Sequence, residues 1–407
     1  MKRLPPVFFS ALFLLATPIT VFAQQNASSQ PFFEARKQQI EYVGEGREDP
    51  EPAGLHEVLI GYFGPSNAAD PAGGDIWRAI SLAIEEANAE GGYRSLPFRV
   101  VPAWSENPWG SGVSELARMA FSGKVWAILG GVDGPSTHLA EQVVAKARLV
   151  LINPASTDKT VNLAGVPWMF SALPGDHLAA PVVGEALLDL RERFVICSAT
   201  DHDSHVFLVE LRKFIAARGA RPAFEYEFEA GTRGFSELAA RVAQSKAGAV
   251  VVIAGPADSS RLITALHQNG FSGRLVGGPW VARREFLRTA GTGTEEILFP
   301  MLEEDSPALE RFAEDYSARF GVAPDYAAAQ AYDSTRLLIA AIRKAGLNRA
   351  LICDAVRKSS PWDGVAGTIA WDAVGQNSRT VRLGMIQHGP LLRLFQESGH
   401  QHSLSGK

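Results

Sequence analysis

From Glu57 onward, short apolar runs alternate with stretches whose apolar residues recur every three or four positions. Short runs closed by Gly or Pro suit buried strands, and the helical recurrence suits amphipathic helices. A strand is predicted over 58–62, closed by Gly64-Pro65. Behind it Ile76, Ile80, Ala83, Ile84 and Ala87 share one helical face, with Asp75 as the expected N-cap and Gly91-Gly92 as the stop. Strands follow over 98–101, 125–129 and 149–152, separated by helices over 114–120 and from Ser136 onward.

The alternation then restarts. Helices over 182–193, 206–218, 235–245 and 259–269 lead into strands over 194–197, 223–228, 249–254 and 275–276. Alternating strand and helix, with strands apolar on both faces, implies parallel sheets covered by helices. Two successive sets imply an α/β fold with two Rossmann-like lobes. After Pro300 helices dominate, over 307–320, 326–345 and 348–359. Two strand-like runs follow, over 367–371 and 381–386, and a polar tail is expected to fray over 396–407.

The N-terminus fixes the expected compartment. Lys2 and Arg3 precede an apolar run, and Val21-Phe22-Ala23 places small residues before Gln24. This predicts a signal peptide over 1–23 and export. Residues 24–55 are polar and rich in Gln, Ser, Glu, Gly and Pro, which predicts a mobile extension.

Composition adds little to the fold and more to the partners. The chain has 407 residues and 46% hydrophobic composition, enough for a large core. Loss of Lys2 and Arg3 takes the formal charge of −5 to about −7, so no nucleic-acid partner is expected. Cys197 and Cys353 read as two small buried thiols, with a disulfide as the alternative.

Enzyme signatures are missing. There is no Gly-x-Ser-x-Gly elbow, no phosphate loop and no dinucleotide fingerprint. Ser204 with His205 and Ser136 with His138 are the available nucleophile–base pairs, and neither has an orienting third group. Asp201-His202-Asp203-Ser204-His205 has a zinc-capable composition. No second ligand cluster of recognisable spacing accompanies it, so no metal and no cofactor are expected. The other reading is a polar loop at the carboxyl end of a strand, where open α/β sheets bind ligands. Gly130 to Thr137 and Asn153 to Thr157 occupy the same kind of position. Their hydroxyls and backbone N–H groups suit an anionic group, because a helix N-terminus leaves donors unpaired. Taken singly, each is equally an N-cap or a turn.

These loops carry a family resemblance. Ile60-Gly61-Tyr62-Phe63-Gly64-Pro65, Ala83-Ile84-Glu85-Glu86-Ala87-Asn88-Ala89-Glu90-Gly91-Gly92, Ile128-Leu129-Gly130-Gly131, Leu151-Ile152-Asn153-Pro154-Ala155-Ser156-Thr157 and Gly367-Thr368-Ile369-Ala370-Trp371-Asp372 stand in one order. In that order and spacing the chain resembles the leucine/isoleucine/valine-binding proteins, the type I periplasmic receptors of ABC importers. The resemblance spans about residues 57 to 390.

It implies two lobes joined by three crossovers, near 170–174, 297–301 and 361–367. Lobe one would be 56–172 with 301–362, and lobe two 173–300 with 363–395. It implies a monomer that closes on a small carboxylate-bearing ligand for an inner-membrane ABC permease, and that is not an enzyme. A sensor of the same fold is the alternative, and an exported α/β enzyme the remote one. Gly134, Ser136, Ala155, Ser156 and Thr157 would grip the carboxylate, and Asp203 and Ser204 would face it from lobe two. The family's ammonium-binding Glu is replaced in Gly277-Gly278-Pro279-Trp280, and Trp280 becomes a candidate contact for an amine. The Tyr expected near Gly255-Pro256 and the lobe-one Cys pair are also absent, so branched-chain specificity is not implied.

Overall fold

The structure is a computed structural model that describes residues 40–290, 296–387 and 393–394. The expected signal peptide over 1–23 and tail over 396–407 lie outside the described residues. In chain order the first elements are β1 (Val58–Phe63), α1 (Gly74–Ala89), β2 (Phe98–Ala103), α2 (Val113–Phe121), β3 (Ala127–Gly130), α3 (Gly134–Ala147), β4 (Val150–Asn153), α4 (Thr160–Leu163) and β5 (Met169–Pro174). The next are α5 (Asp176–Asp189), β6 (Phe194–Ala199), α6 (His202–Ala217), β7 (Phe224–Phe228), α7 (Ser236–Gln244), β8 (Ala249–Ile253), α8 (Pro256–Gln268), β9 (Arg274–Gly277), α9 (Arg284–Ala290) and β10 (Leu298–Met301). The chain continues through α10 (Pro307–Phe320), α11 (Tyr326–Ala345) and α12 (Arg349–Lys358). It ends in β11 (Trp362–Gly364), β12 (Gly367–Ile369), β13 (Gln376–Asn377), β14 (Arg382–Gln387) and β15 (Arg393–Leu394).

The strands form two main sheets, one per lobe. The first has the order β13-β5-β4-β3-β1-β2 and the second β15-β14-β10-β9-β8-β6-β7. The first is parallel throughout. In the second, β14 lies antiparallel to β10 at one side of a parallel core. Residues of β3, β4 and β8 are buried at every position, which explains their unbroken apolar sequence. Edge strand β7 reads Phe-Glu-Tyr-Glu-Phe and is largely solvent-facing, with Glu225 and Glu227 paired to Arg212 of α6.

In both sheets the strand order reverses beside the first strand of the set. The reversal falls between β1 and β3 in lobe one and between β6 and β8 in lobe two. Loops at the carboxyl ends of strands at such a switch point diverge and leave a crevice. The loop after β3 leads into α3, and the loop after β6 leads into α6. The tight first loop needs glycine: Gly130 has φ +132, and a Cβ there would stand 2.3 Å from the Phe63 carbonyl oxygen.

Several sequence expectations change. Asp75 is the second residue of α1, after an N-cap at Gly73, and is not itself the cap. The stretches near 170–174 and 297–301, expected as crossovers, form strands β5 and β10, each hydrogen-bonded into its sheet before the chain runs on to α5 and α10. Helices α10 to α12 pack on lobe one, through Arg319–Glu85, Tyr332–Glu86, Arg343–Glu90 and Arg349 with the carbonyls of Ala147, Ala120 and Val125. The stretch expected wholly in lobe two serves both sheets, because β13 pairs with β5 and β14 with β10.

The extension is also different from its expectation where it is described. Residues 40–55 dock on lobe one rather than moving freely. Ile40 N–H donates to the Ala373 carbonyl, and Tyr42 packs on Trp168. Arg47 pairs with Asp354. Asn348 Nδ2 donates to the carbonyls of Gly46, Arg47 and Asp49. Cys197 in β6 and Cys353 in α12 are buried, unpaired thiols.

Candidate functional site

Two helix N-termini meet between the lobes. Asp133 caps α3 by accepting from Ser136 N–H at 2.8 Å, with Pro135 in the first turn. Asp201 caps α6 by accepting from Ser204 N–H at 3.0 Å. The first N–H of α3, on Gly134, donates to both oxygens of the Asp203 carboxylate, at 3.0 and 3.2 Å. A Cβ at Gly134 would stand 2.3 Å from Asp203 Oδ1, so glycine is what permits the approach.

The remaining expected residues divide between shaping loops and facing the junction. The Ser136 hydroxyl donates to Asp133 and accepts from Val132 N–H, and its side chain is fully buried. Ala155 and Ser156 give their N–H groups to Asn153 Oδ1, at 2.9 and 3.0 Å. Ser156 Oγ accepts from Asp158 N–H, and Ser204 Oγ donates to Asp201. These groups hold their own loops. Trp280 lies in the turn after β9 and packs edge-on against Phe207 of α6, with centroids 5.6 Å apart. Ser136 bonds Asp133 rather than His138, and Ser204 bonds Asp201 rather than His205, so neither hydroxyl is set against its neighbouring imidazole.

Thr157 turns toward a residue that the sequence reading missed. Its carbonyl accepts from Asp176 N–H at 2.8 Å. The Asp176 carboxyl is 1% exposed, and its Oδ1 has no hydrogen-bond partner. Burial pushes its pKa well above the ordinary value, against a lowering hydrogen bond with Thr157; nearby Asp158, Asp203 and Glu210 add to the rise. Asp203 is pushed up to about 8, chiefly by burial and then by Asp133.

Five further contacts tie the lobes together. His202 Nε2 of α6 lies 2.7 Å from Asp158 Oδ2, and Lys159 Nζ donates to Glu210 Oε1 at 2.6 Å. On the other rim, Arg283 Nε pairs with Asp325 at 2.7 Å and Arg284 Nε with Asp75 at 2.8 Å. Arg283 Nη2 also donates to the Ala72 carbonyl at 2.9 Å. Asp325 and Asp75 meanwhile belong to lobe-one helices: Asp325 caps α11, and Asp75 lies in the first turn of α1. None of these pairs was expected, because their members are distant in sequence. A signal existed only in the adjacency of Arg283 and Arg284, and of Asp158 to the Ser156-Thr157 loop.

The junction is therefore acidic, with cations supplied by Lys159 and the two arginines. It offers a helix-terminal donor for an anion and, in Asp176 Oδ1, a buried carboxyl oxygen without a hydrogen-bond partner for a cation. A separate cavity of about 840 Å³ lies where residues 45–57 dock, lined in part by Trp126, Trp168 and Arg349. It is remote from these groups, and Arg349 there is already engaged by the carbonyls of Ala147, Ala120 and Val125.

Comparisons with known proteins agree with this architecture. The chain matches the periplasmic binding protein family over residues 57–390. An amino acid binding protein of Pseudomonas aeruginosa is 26% identical over 338 residues, 79% of this chain and 87% of that protein. A Leu/Ile/Val-binding protein homolog 2 of Brucella abortus is 23% identical over 335 residues, 79% of this chain and 88% of that one. The LivJ branched-chain amino acid transporter substrate binding protein of Streptococcus pneumoniae, solved with isoleucine, superposes with a TM-score of 0.76 at 21% identity. That superposition covers 84% of this chain and 99% of LivJ. An ABC transporter substrate-binding protein of Desulfitobacterium hafniense, solved with Leu, gives 0.70 at 21% identity, covering 84% and 99%. These structural likenesses show the two-lobed α/β fold. By the match over 57–390 and by this fold, the chain belongs to the periplasmic binding protein family.

Proposed function

We propose that the protein captures a small amino-acid-like solute, bearing a carboxylate and an amine, between its lobes and delivers it to an inner-membrane ABC permease. The observation that carries this reading is the Gly134 N–H at the start of α3, which accommodates a carboxylate, that of Asp203, at 3.0 and 3.2 Å. A solute carboxylate has the same shape and charge and suits the same helix N-terminus. Asp176 supplies the complementary end. Its partnerless Oδ1 is an acceptor for an ammonium, whose charge would favour the ionised carboxylate that burial disfavours.

The amino acids in the LivJ and D. hafniense structures support this class of ligand. Trp280, where the resemblance expects the ammonium-binding Glu, supports a different contact at the amine end. The domain assignment follows the sheets: lobe one from about 56 to 172 with the late helices, and lobe two from about 173 to 300 with β14. Gly134 and Thr157 then face Asp203 and Asp176 across the junction. Closure would be selected by the solute and read by the permease. The reading is of an exported, monomeric binding protein rather than an enzyme.

Isothermal titration of protein stripped by partial unfolding and refolding tests it, against panels of amino acids and organic acids. Saturable heat at one site per chain with an amino acid supports the reading. Silence with every member of both panels contradicts it.

A further inference from the structure

We infer that His138, Asp158 and His202 form a transition-metal site, of the zinc class, that bridges the two lobes. The sequence presents these residues far apart, and the fold brings them together. His138 lies on α3, Asp158 just before α4, and His202 at the start of α6. Their ligating atoms all lie within 4.8 Å of one another. Both imidazoles turn Nε2 to the same carboxylate oxygen, Asp158 Oδ2, at 3.0 and 2.7 Å. The rings stand edge to face, with centroids 5.7 Å apart. Two imidazole nitrogens and one carboxylate oxygen make a donor set that suits zinc and its neighbours better than calcium or magnesium.

The surroundings are those of a supported site rather than a chance meeting. A metal-bound His ordinarily gives its other ring nitrogen to a carboxylate or carbonyl. His138 Nδ1 faces Glu141 Oε2 at 3.7 Å, one helical turn along α3. Glu141 is 3% exposed, and its Oε1 has no hydrogen-bond partner. The second oxygen of Asp158 is fixed by Thr160, whose N–H donates at 2.8 Å and whose hydroxyl donates at 2.6 Å. That leaves Oδ2 aimed at the two imidazoles. His202 keeps 41% of its side chain exposed, which gives an ion a path inward and leaves room for water as a further ligand.

An ion held there would join α3 and the Asp158 loop of lobe one to α6 of lobe two. Metal would bind the closed arrangement better than an open one, and by linkage would favour closure. This site is distinct from the buried Asp176 carboxyl and does not depend on the identity of the captured solute.

The test is calorimetric titration of the untagged, EDTA-dialysed protein with ZnCl₂ at neutral pH, with MgCl₂ as the control. One zinc per chain is expected, with no heat from magnesium. His202→Ala removes a half-exposed ligand without disturbing the core, so its fold is checked simply by circular dichroism. It is expected to weaken zinc binding at least ~10-fold, as is His138→Gln. Zinc should also raise the melting temperature of the unmodified protein and not that of His202→Ala. Absence of stoichiometric zinc binding overturns the proposal and leaves the cluster as a hydrogen-bond network. Unchanged affinity in His202→Ala likewise overturns it, by placing the zinc elsewhere.

Discussion

The N–H of Gly134 donates to both carboxylate oxygens of Asp203, at 3.0 and 3.2 Å, and this contact joins the N-terminus of one lobe's helix to that of the other. It depends on the missing side chain of Gly134. Gly134→Ala places a Cβ against Asp203 Oδ1 and His202. The closed arrangement is expected to lose ~1–3 kcal/mol. Solute affinity should then fall roughly 5- to 100-fold, while the melting temperature of the solute-free protein stays near its original value. Calorimetric titration beside thermal melting checks both, and an unchanged affinity would show that the lobes do not close through this contact.

Arg283 and Asp325 form a deeply buried ion pair between the lobes, with side chains 7% and 1% exposed. Asp325 also caps α11 by accepting from Ala328 N–H. Arg283→Met leaves that carboxylate without its counter-charge and is expected to cost ~3–5 kcal/mol in urea unfolding. The double variant Arg283→Met/Asp325→Asn should cost less than the sum of the two single variants. Strict additivity would mean that the pair is not coupled.

Asp333 in α11 gives the stability a pH dependence. Its carboxylate accepts from Val365 and Ala366 N–H groups, both at 2.8 Å. Burial nevertheless pushes its pKa up to about 7. A raised carboxyl pKa means that the folded state holds the proton more tightly than the unfolded chain. Its contribution is therefore fully present below the ordinary carboxylate pKa and is lost as pH rises through about 7. Urea unfolding at acid and alkaline pH, bracketing that window, should show a loss that shrinks in Asp333→Asn. An identical loss in the variant would assign the effect to other groups.

Both thiols are predicted to be silent in the folded protein. Burial pushes Cys197 and Cys353 up to about 12, where little thiolate exists at neutral pH. A thiol-reactive dye should label neither residue in native protein and both after denaturation. Rapid native labelling of either would contradict the burial described for it.

The sequence disclosed most where periodicity was strong. The helices over 307–320 and 326–345 occupy the expected residues because each carries a regular apolar face and a clear N-terminal residue, Ser306 or Asp325. Strands β5 and β10 coincide with the stretches expected as crossovers, since each lies where the chain passes between lobes. The 40–55 segment looked solvated because its docking uses paired polar groups, such as Arg47 with Asp354, which composition does not distinguish from solvent-facing ones.

Site residues followed the same rule. Gly134, Thr157 and Asp203 were picked out from loops at strand ends, and the fold brings them to the junction between the lobes. Ser136, Ser156 and Ser204 were legible as polar, but their hydroxyls serve their own loops. Asp176, His138 and Asp158 gain their chemistry from burial and from partners elsewhere in the chain. Only tertiary structure supplies those.

The most direct test of solute capture between the lobes is mass spectrometry of small molecules released by denaturing protein purified under native conditions. The account predicts a near-stoichiometric solute carrying both a carboxylate and an amine, retained less by Asp176→Asn and Gly134→Ala than by the unmodified protein. A solute lacking a carboxylate, or one retained by both variants as well as by the unmodified protein, would contradict it.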